Sequence, residues 1–391
     1  MTEFLEQSTC FATPSPANKL IVLGVGGAGG NAINSMIAAQ DCPYVEFIAA
    51  NTDAQALANS KTPITIQLGS KITKGLGAGS NPDTGRRAAE EDIEEIKKNI
   101  SGADILFLAA GLGGGTGSGA LPVIAKAAKE MGILTVAVVT KPFAFEGKRR
   151  VKHAEEALQS LKNSVDTMIV VPNEKLLEVV DPKISIVDAF AISNSILKQA
   201  VKGISDIIQK TGLVNVDFAD VKAIMKEMGI AIMGTGRASG NDRAQKAACD
   251  AINSPLLENV SIEGAKGILF NVTGNRDLGL HEINDAAKII YSKVNEDANI
   301  ILGSVIDESM GDEIMITVIA TGLSYERKAE ERAGILGSSE LSKLHAAAKS
   351  NLANEGFSNI VNVSLEPGEQ DGGKKGDAKG ESEKKRNFPF F

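Results

Sequence analysis

Gly111-Leu112-Gly113-Gly114-Gly115-Thr116-Gly117-Ser118-Gly119 follows the apolar run Ile105–Ala110 and opens a helical pattern. Glycine loses more backbone freedom on folding than any other residue, so a plain turn has no use for it at most of nine positions. A loop that wraps a polyanion does, because bare backbone brings several N–H groups onto phosphate oxygens. Thr116 and Ser118 add hydroxyls to that cradle. Upstream, Leu20–Leu23 runs into Gly24-Val25-Gly26-Gly27-Ala28-Gly29-Gly30-Asn31, a G-x-G-x-x-G match between a strand and a helix. Alone, this loop fits a nicotinamide-dinucleotide unit equally well, with Asp53 as the ribose acid. One pyrophosphate does not need two such loops in one domain; a triphosphate does. Gly147-Lys148 is followed by Arg149 and lacks the upstream glycine, so this is not a P-loop.

Composition narrows the class. The 391 residues are 43% apolar and 4% aromatic, with 40 Gly and no Trp, which suits an α/β protein with many tight turns. A net charge of −8 argues against a nucleic-acid partner. Cys10, Cys42 and Cys249 form no C-x-x-C pair, consistent with a reduced, cytoplasmic setting. Residues 1–17 carry Glu3 and Glu6 and no apolar run, so they do not read as a signal peptide. No apolar stretch reaches membrane-spanning length, so no direct membrane insertion is expected and any membrane role goes through a partner.

Short apolar runs alternate with helical patterns from Lys19 to Pro172. Strands are predicted at Leu20–Leu23, Val45–Ala50, Ile64–Leu68, Ile105–Ala110, Ile133–Thr140 and Thr167–Val171, with helices after Gly29, Pro82, Gly117 and Gly147. Asn81-Pro82 is a helix start: a capping side chain, then a fixed φ. Such alternation means crossover connections and a mostly parallel sheet. A long helix follows over Ile184–Lys210, with an apolar stripe of Ile186, Phe190, Leu197, Val201, Ile204 and Ile208. A smaller α/β part has strands at Ile230–Gly234, Gly267–Val272, Ile300–Val305 and Ile314–Ala320, and helices at Asp242–Asn253 and His281–Val294. The predicted organisation is a disordered lead (1–17), a nucleotide domain (18–183), a connecting helix (184–212), a second domain (213–323) and a flexible tail (324–391). Ser339–Leu352 reads as a short amphipathic helix within that tail. The tail finishes in Asn387-Phe388-Pro389-Phe390-Phe391, aromatics on a polar leash that read as a docking motif.

With both loops in view, Gly113–Gly119 and Gly24–Asn31 resemble the phosphate loops of the tubulin/FtsZ family of GTPases. Asn51-Thr52-Asp53, Gly75-Leu76-Gly77-Ala78-Gly79, Pro142-Phe143 with Glu146 to Arg150, Pro172-Asn173, Asn194 and Asn215 to Asp220 match that family in order. The resemblance implies GTP/GDP as ligand, a Rossmann-like GTPase domain, a central helix and a smaller domain. It implies a phosphate site from Gly26, Gly27, Ala28, Gly29, Gly30, Asn31, Gly113, Gly114, Gly115, Thr116 and Gly117, with Ala78 and Gly79 near the γ-phosphate. Glu146 would hold the ribose and Arg150 the phosphates, Phe190 would stack on the base, Asn194 would read guanine, and Asn173 would assist. Asn215, Asp217 and Asp220 would be catalytic residues donated to the next subunit of a head-to-tail polymer, with Mg²⁺ easing acids against phosphates. The implied setting is a division ring at midcell, tethered through the tail by an FtsA-like protein and tuned by other ring regulators.

Simpler readings stand beside these. Glu146 and Arg150 are four apart, the spacing of a solvated ion pair. Phe190 would otherwise be core, and Asn194 a buried amide needing a partner. Asp217 would otherwise cap the helix over Val221–Met228. His153, His281 and His345 have no metal-ligand spacing and read as solvated. The rival functions are a nicotinamide-dependent oxidoreductase built on Gly24–Gly29 and Asp53, or a scaffold with a degenerate pocket.

Overall fold

The computed structural model describes residues 18–40, 42–178, 180–209, 216–254, 256 and 262–323. The expectations for 1–17, Gly212, Asn215, Ser339–Leu352 and the 387–391 motif lie outside them. The strands are β1 (Leu20–Val25), β2 (Val45–Asn51), β3 (Ile64–Gln67), β4 (Ile105–Gly111), β5 (Leu134–Lys141), β6 (Thr167–Pro172), β7 (Gly229–Ser239), β8 (Gly267–Gly274), β9 (Asn299–Ile306) and β10 (Glu313–Thr321). Between β1 and β4 lie helices α1 (Gly26–Ala39), α2 (Ala54–Ala58), α3 (Ser70–Thr73), α4 (Pro82–Glu91) and α5 (Ile93–Ile100). They are followed by α6 (Thr116–Glu130), α7 (Lys148–Lys162), α8 (Asn173–Leu176), α9 (Ile186–Gln209), α10 (Phe218–Met225), α11 (Arg243–Ile252) and α12 (Leu280–Tyr291).

All ten strands join one sheet in the order β3-β2-β1-β4-β5-β6-β7-β10-β8-β9. Pairing is parallel except where β10 runs antiparallel between β7 and β8. The two predicted α/β parts are therefore continuous, stitched at β6–β7 by Thr167↔Gly229, Met168↔Ile230 and Ile169↔Ala231. The β3-β2-β1-β4-β5-β6 half is doubly wound, and its direction switches between β1 and β4.

Strands buried on both faces have no polar alternate, which is why β1 and β4 read as unbroken apolar runs. In β1, Ile21, Leu23 and Val25 pack with α4, α5, α6 and α7 through Ala88, Ile96, Leu121 and Leu161. Leu20 and Val22 face the other layer, with Ile33 and Met36 of α1 and Leu197, Val201 and Ile204 of α9. A third core lies under α11 and α12 against β8 and β10. Asn81 caps α4 as its sequence implies, accepting from the Asp83 N–H at 3.0 Å.

Two expectations need correction. Ile186 and Phe190 do not belong to the buried stripe of α9: they are 66% and 38% exposed, and the buried face starts at Ala189 and Ser193. The first turn of α9 lies beside the segment after β5, where Phe190 meets Phe143 edge-on at 5.5 Å, rather than over the strands. His153 is not a solvated residue, because α7 carries it half-buried with Nδ1 shut away from solvent and without a partner. His281 is exposed, as expected, and His345 lies outside the described residues.

Candidate nucleotide site

The first phosphate loop is a direct strand-to-helix step. β1 ends at Val25, and Gly26 begins α1 with φ +75° and no side-chain cap, which leaves the first amides of the helix unclaimed by its own cap. The second loop leaves β4, the neighbouring strand, and opens α6. The two loops touch: a Cβ on Gly26 would sit 3.1 Å from the Gly117 nitrogen, and one on Gly111 would sit 2.6 Å from Cβ of Ala28. Both helix N-termini thus converge at the carboxyl end of the sheet, at its switch point, where open α/β sheets bind ligands.

The glycines divide into two duties. A Cβ on Gly29 would lie 2.3 Å from the Ala109 carbonyl oxygen, on Gly117 2.5 Å from that of Gly111, and on Gly119 1.9 Å from that of Pro82. These positions are bare so that backbones can pack. Gly27, Gly30 and Gly114 meet nothing within 4 Å, so they face open space at the cradle. Ser118 is also reassigned. It is buried, and its Oγ accepts from the Gly113 N–H at 2.7 Å, shaping the loop instead of offering a hydroxyl to a ligand. Thr116, the first residue of α6, shares a 2.7 Å hydrogen bond with the Thr52 hydroxyl.

The Gly75–Gly79 segment joins from a third direction. Ala78 lies where a Cβ on Gly115 would meet it at 2.8 Å, which puts Ala78 against the second loop. A cavity of about 190 Å³ opens beside α1 and includes Gly26, Gly27, Gly30, Asn31 and Asn51. A cleft of about 580 Å³ between α7 and the β6–β7 junction contains none of the predicted site residues.

Beyond β5, Pro142 and Phe143 lead into a single turn of 3₁₀ helix, Ala144–Glu146, and then α7. Glu146 accepts from the Phe143 N–H at 3.0 Å and pairs with Arg150 at 2.6 Å, so the simple ion pair is what these two residues form here. Arg150 nonetheless lies against the second loop: a Cβ on Gly113 would lie 2.8 Å from the Arg150 carbonyl oxygen. Phe190 and half-buried Asn194 share a face of α9, and the Asn194 amide has no hydrogen-bond partner among the described residues. Asn173 is buried at the start of α8, with Oδ1 accepting from the Ser193 hydroxyl at 2.8 Å. The sequence reading missed Ser193, and also Glu174, whose carboxylate accepts from the Ala144 N–H at 2.8 Å.

The acidic pair stands apart from all of these. Asp217 caps α10, accepting from the Asp220 N–H at 2.8 Å, and both acids are exposed. Asp53, the ribose acid of the dinucleotide reading, is spent capping α2, accepting from the Gln55 and Ala56 N–H groups.

The comparisons agree with this arrangement and give no support to the nicotinamide reading. The family model for the Tubulin/FtsZ family, GTPase domain, matches residues 19–181, and that for the FtsZ family, C-terminal domain, matches 229–324. The chain is 55% identical over 302 residues to the cell division protein FtsZ of Pseudomonas aeruginosa, covering 77% of this chain and 76% of that protein. It is 52% identical over 310 residues to the FtsZ of Coxiella burnetii, covering 79% and 80%. A solved structure described as an empty FtsZ dimer from M. jannaschii superposes with a TM-score of 0.75 at 45% identity, over 78% of this chain and 88% of that one. The CetZ2 protofilament of Haloferax volcanii, at 21% identity and a TM-score of 0.67, shares the fold. By sequence, fold and the convergence of its phosphate loops, the chain belongs to the tubulin/FtsZ family and is a GTP-binding GTPase of the FtsZ cell-division branch.

Proposed function

We propose that this GTPase polymerises head to tail and hydrolyses GTP only at the junctions, where one subunit supplies the phosphate cradle and the next supplies Asn215, Asp217 and Asp220. One observation carries this reading. α9 begins beside the site, with Ser193 on Asn173 and Phe190 on Phe143. It finishes with the Gln209 amide donating to the carbonyl oxygen of Asn18, just ahead of β1, at the amino end of the parallel strands. Twenty-four residues of helix span about 36 Å. Asp217 follows that far end, and the far end of α10 is held by Thr167, the first residue of β6. Acids placed there cannot reach a nucleotide on their own subunit. A heterologous contact that stacks this end of the sheet on the next molecule's loops brings them to one, and such contacts propagate as filaments.

In this reading the phosphates lie on Gly26 to Asn31 and Gly113 to Gly117, with Ala78 and Gly79 at the γ end. Glu146 takes the ribose, Arg150 the phosphates, Phe190 the face of the base, and Asn194 with Asn173 its edge. Asp217 and Asp220 orient the water for in-line attack, so that catalysis rests on position and charge. No cluster of three metal-ligating side chains exists among the described residues. A Mg²⁺ ion bound with the nucleotide would offset the phosphate charge that the acids face. The proposed organisation is a nucleotide domain over 18–183, a central helix over 184–212, an activating domain over 213–323 and a tether segment over 324–391. The proposed setting is a cytoplasmic ring at midcell, anchored by an FtsA-like protein. Mixing a D217N/D220N double variant with a variant unable to bind nucleotide is expected to restore GTP turnover, because mixed junctions contain one intact cradle and one intact acidic loop. A mixture as inactive as its two components would refute the shared site.

A further inference from the structure

The nucleoside end of the site is built from two short pieces that follow adjacent strands. The 3₁₀ turn Ala144–Glu146 follows β5 and carries Glu146; α8 follows β6 and carries Asn173. Lys141 and Pro172 are register partners at the ends of those strands, so the two pieces leave the sheet side by side. Neither is long enough to hold itself in place, since a single helical turn is unstable without outside contacts. Each must be braced by side chains.

The braces are visible. On one side, Ser193 of α9 donates to Asn173 Oδ1, tying α8 to the helix that carries Phe190 and Asn194. On the other, Glu174 accepts from the Ala144 N–H at 2.8 Å, tying α8 to the 3₁₀ turn. The peptide nitrogen one residue earlier, that of Phe143, is held by Glu146 itself. Phe143 stacks on Phe145 at 5.0 Å and meets Phe190 edge-on. Glu174 is therefore the link between the piece implied to hold the ribose and the piece implied to hold the base.

We propose that Glu174 is a positioning residue that fixes the Phe143–Glu146 turn against α8, so that ribose and base are gripped by one rigid unit. This rests on the reading of Glu146 as the ribose ligand. The bond needs an acceptor, not a charge. Glutamine keeps the acceptor, and alanine removes it.

The test measures equilibrium binding of GDP and of 2′-deoxy-GDP to dilute, unassembled full-length protein. For E174A, GDP is expected to bind roughly tenfold more weakly, the upper scale of one ordinary intramolecular hydrogen bond, with 2′-deoxy-GDP much less affected. E174Q is expected to restore both the affinity and the preference for the 2′-hydroxyl. Wild-type affinity in E174A, equal losses for the two nucleotides, or a failure of E174Q to rescue would each overturn the role. A wild-type chain that binds both nucleotides equally would remove the ribose reading of Glu146 and this inference with it. GDP binding with normal ribose preference in E174A would sink the Glu174 inference alone.

Discussion

Asp217 has two jobs that a single substitution can separate. Its carboxylate caps α10 through the Asp220 N–H, and in the proposed junction the same group faces the neighbour's nucleotide. Asparagine caps a helix as well as aspartate does, whereas alanine forfeits about 1 kcal/mol. D217N is therefore expected to keep the wild-type melting temperature while losing GTP turnover by roughly a hundredfold, the scale seen when one group that stabilises or orients a transition state is removed. D217A should lose both. Thermal melts beside phosphate-release assays distinguish the cases, and full turnover in D217N would show that the charge is not needed. The glycines show the complementary lesson. Their density announced a phosphate loop, but which of them face the ligand and which serve packing followed only from what stands beside each one, such as the Pro82 oxygen at Gly119.

At the scale of elements, one cation ties α11 to α12 and to the segment before β10. Arg243 opens α11, is nearly buried, and donates to Glu282 of α12 at 2.7 Å and to Asp312, just before β10, at 3.1 Å. Its bidentate bond to Glu282 holds that carboxyl below the usual value of 4.5, helped by the Gly279 N–H and opposed by partial burial. Removing one partner of such a pair strands the other, and R243A is expected to cost about 3 kcal/mol in chemical denaturation at neutral pH. The sign of the pH dependence follows. A carboxylate whose folded pKa is depressed adds stability above its unfolded value, and that stability is lost as pH falls through the folded one. The gap between wild type and R243A should thus be full at neutral pH and shrink on acidification below about 4.5. A gap that stayed constant through the acid range would contradict the pairing. The sequence displays Arg243 only as one charge near a helix start; the acids it ties lie 39 and 69 residues away.

At the scale of the molecule, the length of α9 sets the behaviour. In the proposed reading the site is split between the carboxyl and amino ends of the parallel strands and cannot fire in an isolated subunit. Specific GTP turnover is expected to be near zero at low protein concentration and to rise steeply above a threshold that coincides with polymer formation by light scattering. Constant specific activity across the dilution series would mean that each chain carries a complete site.

Much was legible in the chain itself. Alternating apolar runs and helical periods give a parallel α/β sheet because local burial writes that pattern, and the glycine loops mark the phosphate cradle because only bare backbone can crowd an anion. The same locality explains what was not legible. That the two α/β parts share one sheet depends on three register pairs between residues some sixty positions apart. That Phe190 leaves the core, that Ser118 turns inward and that Glu174 reaches Ala144 depend on partners the chain reaches only once folded. The placing of Asp217 at the end of the sheet away from the glycine loops is of this kind too: sequence names the acids, but the direction in which a long helix crosses the sheet decides where they stand.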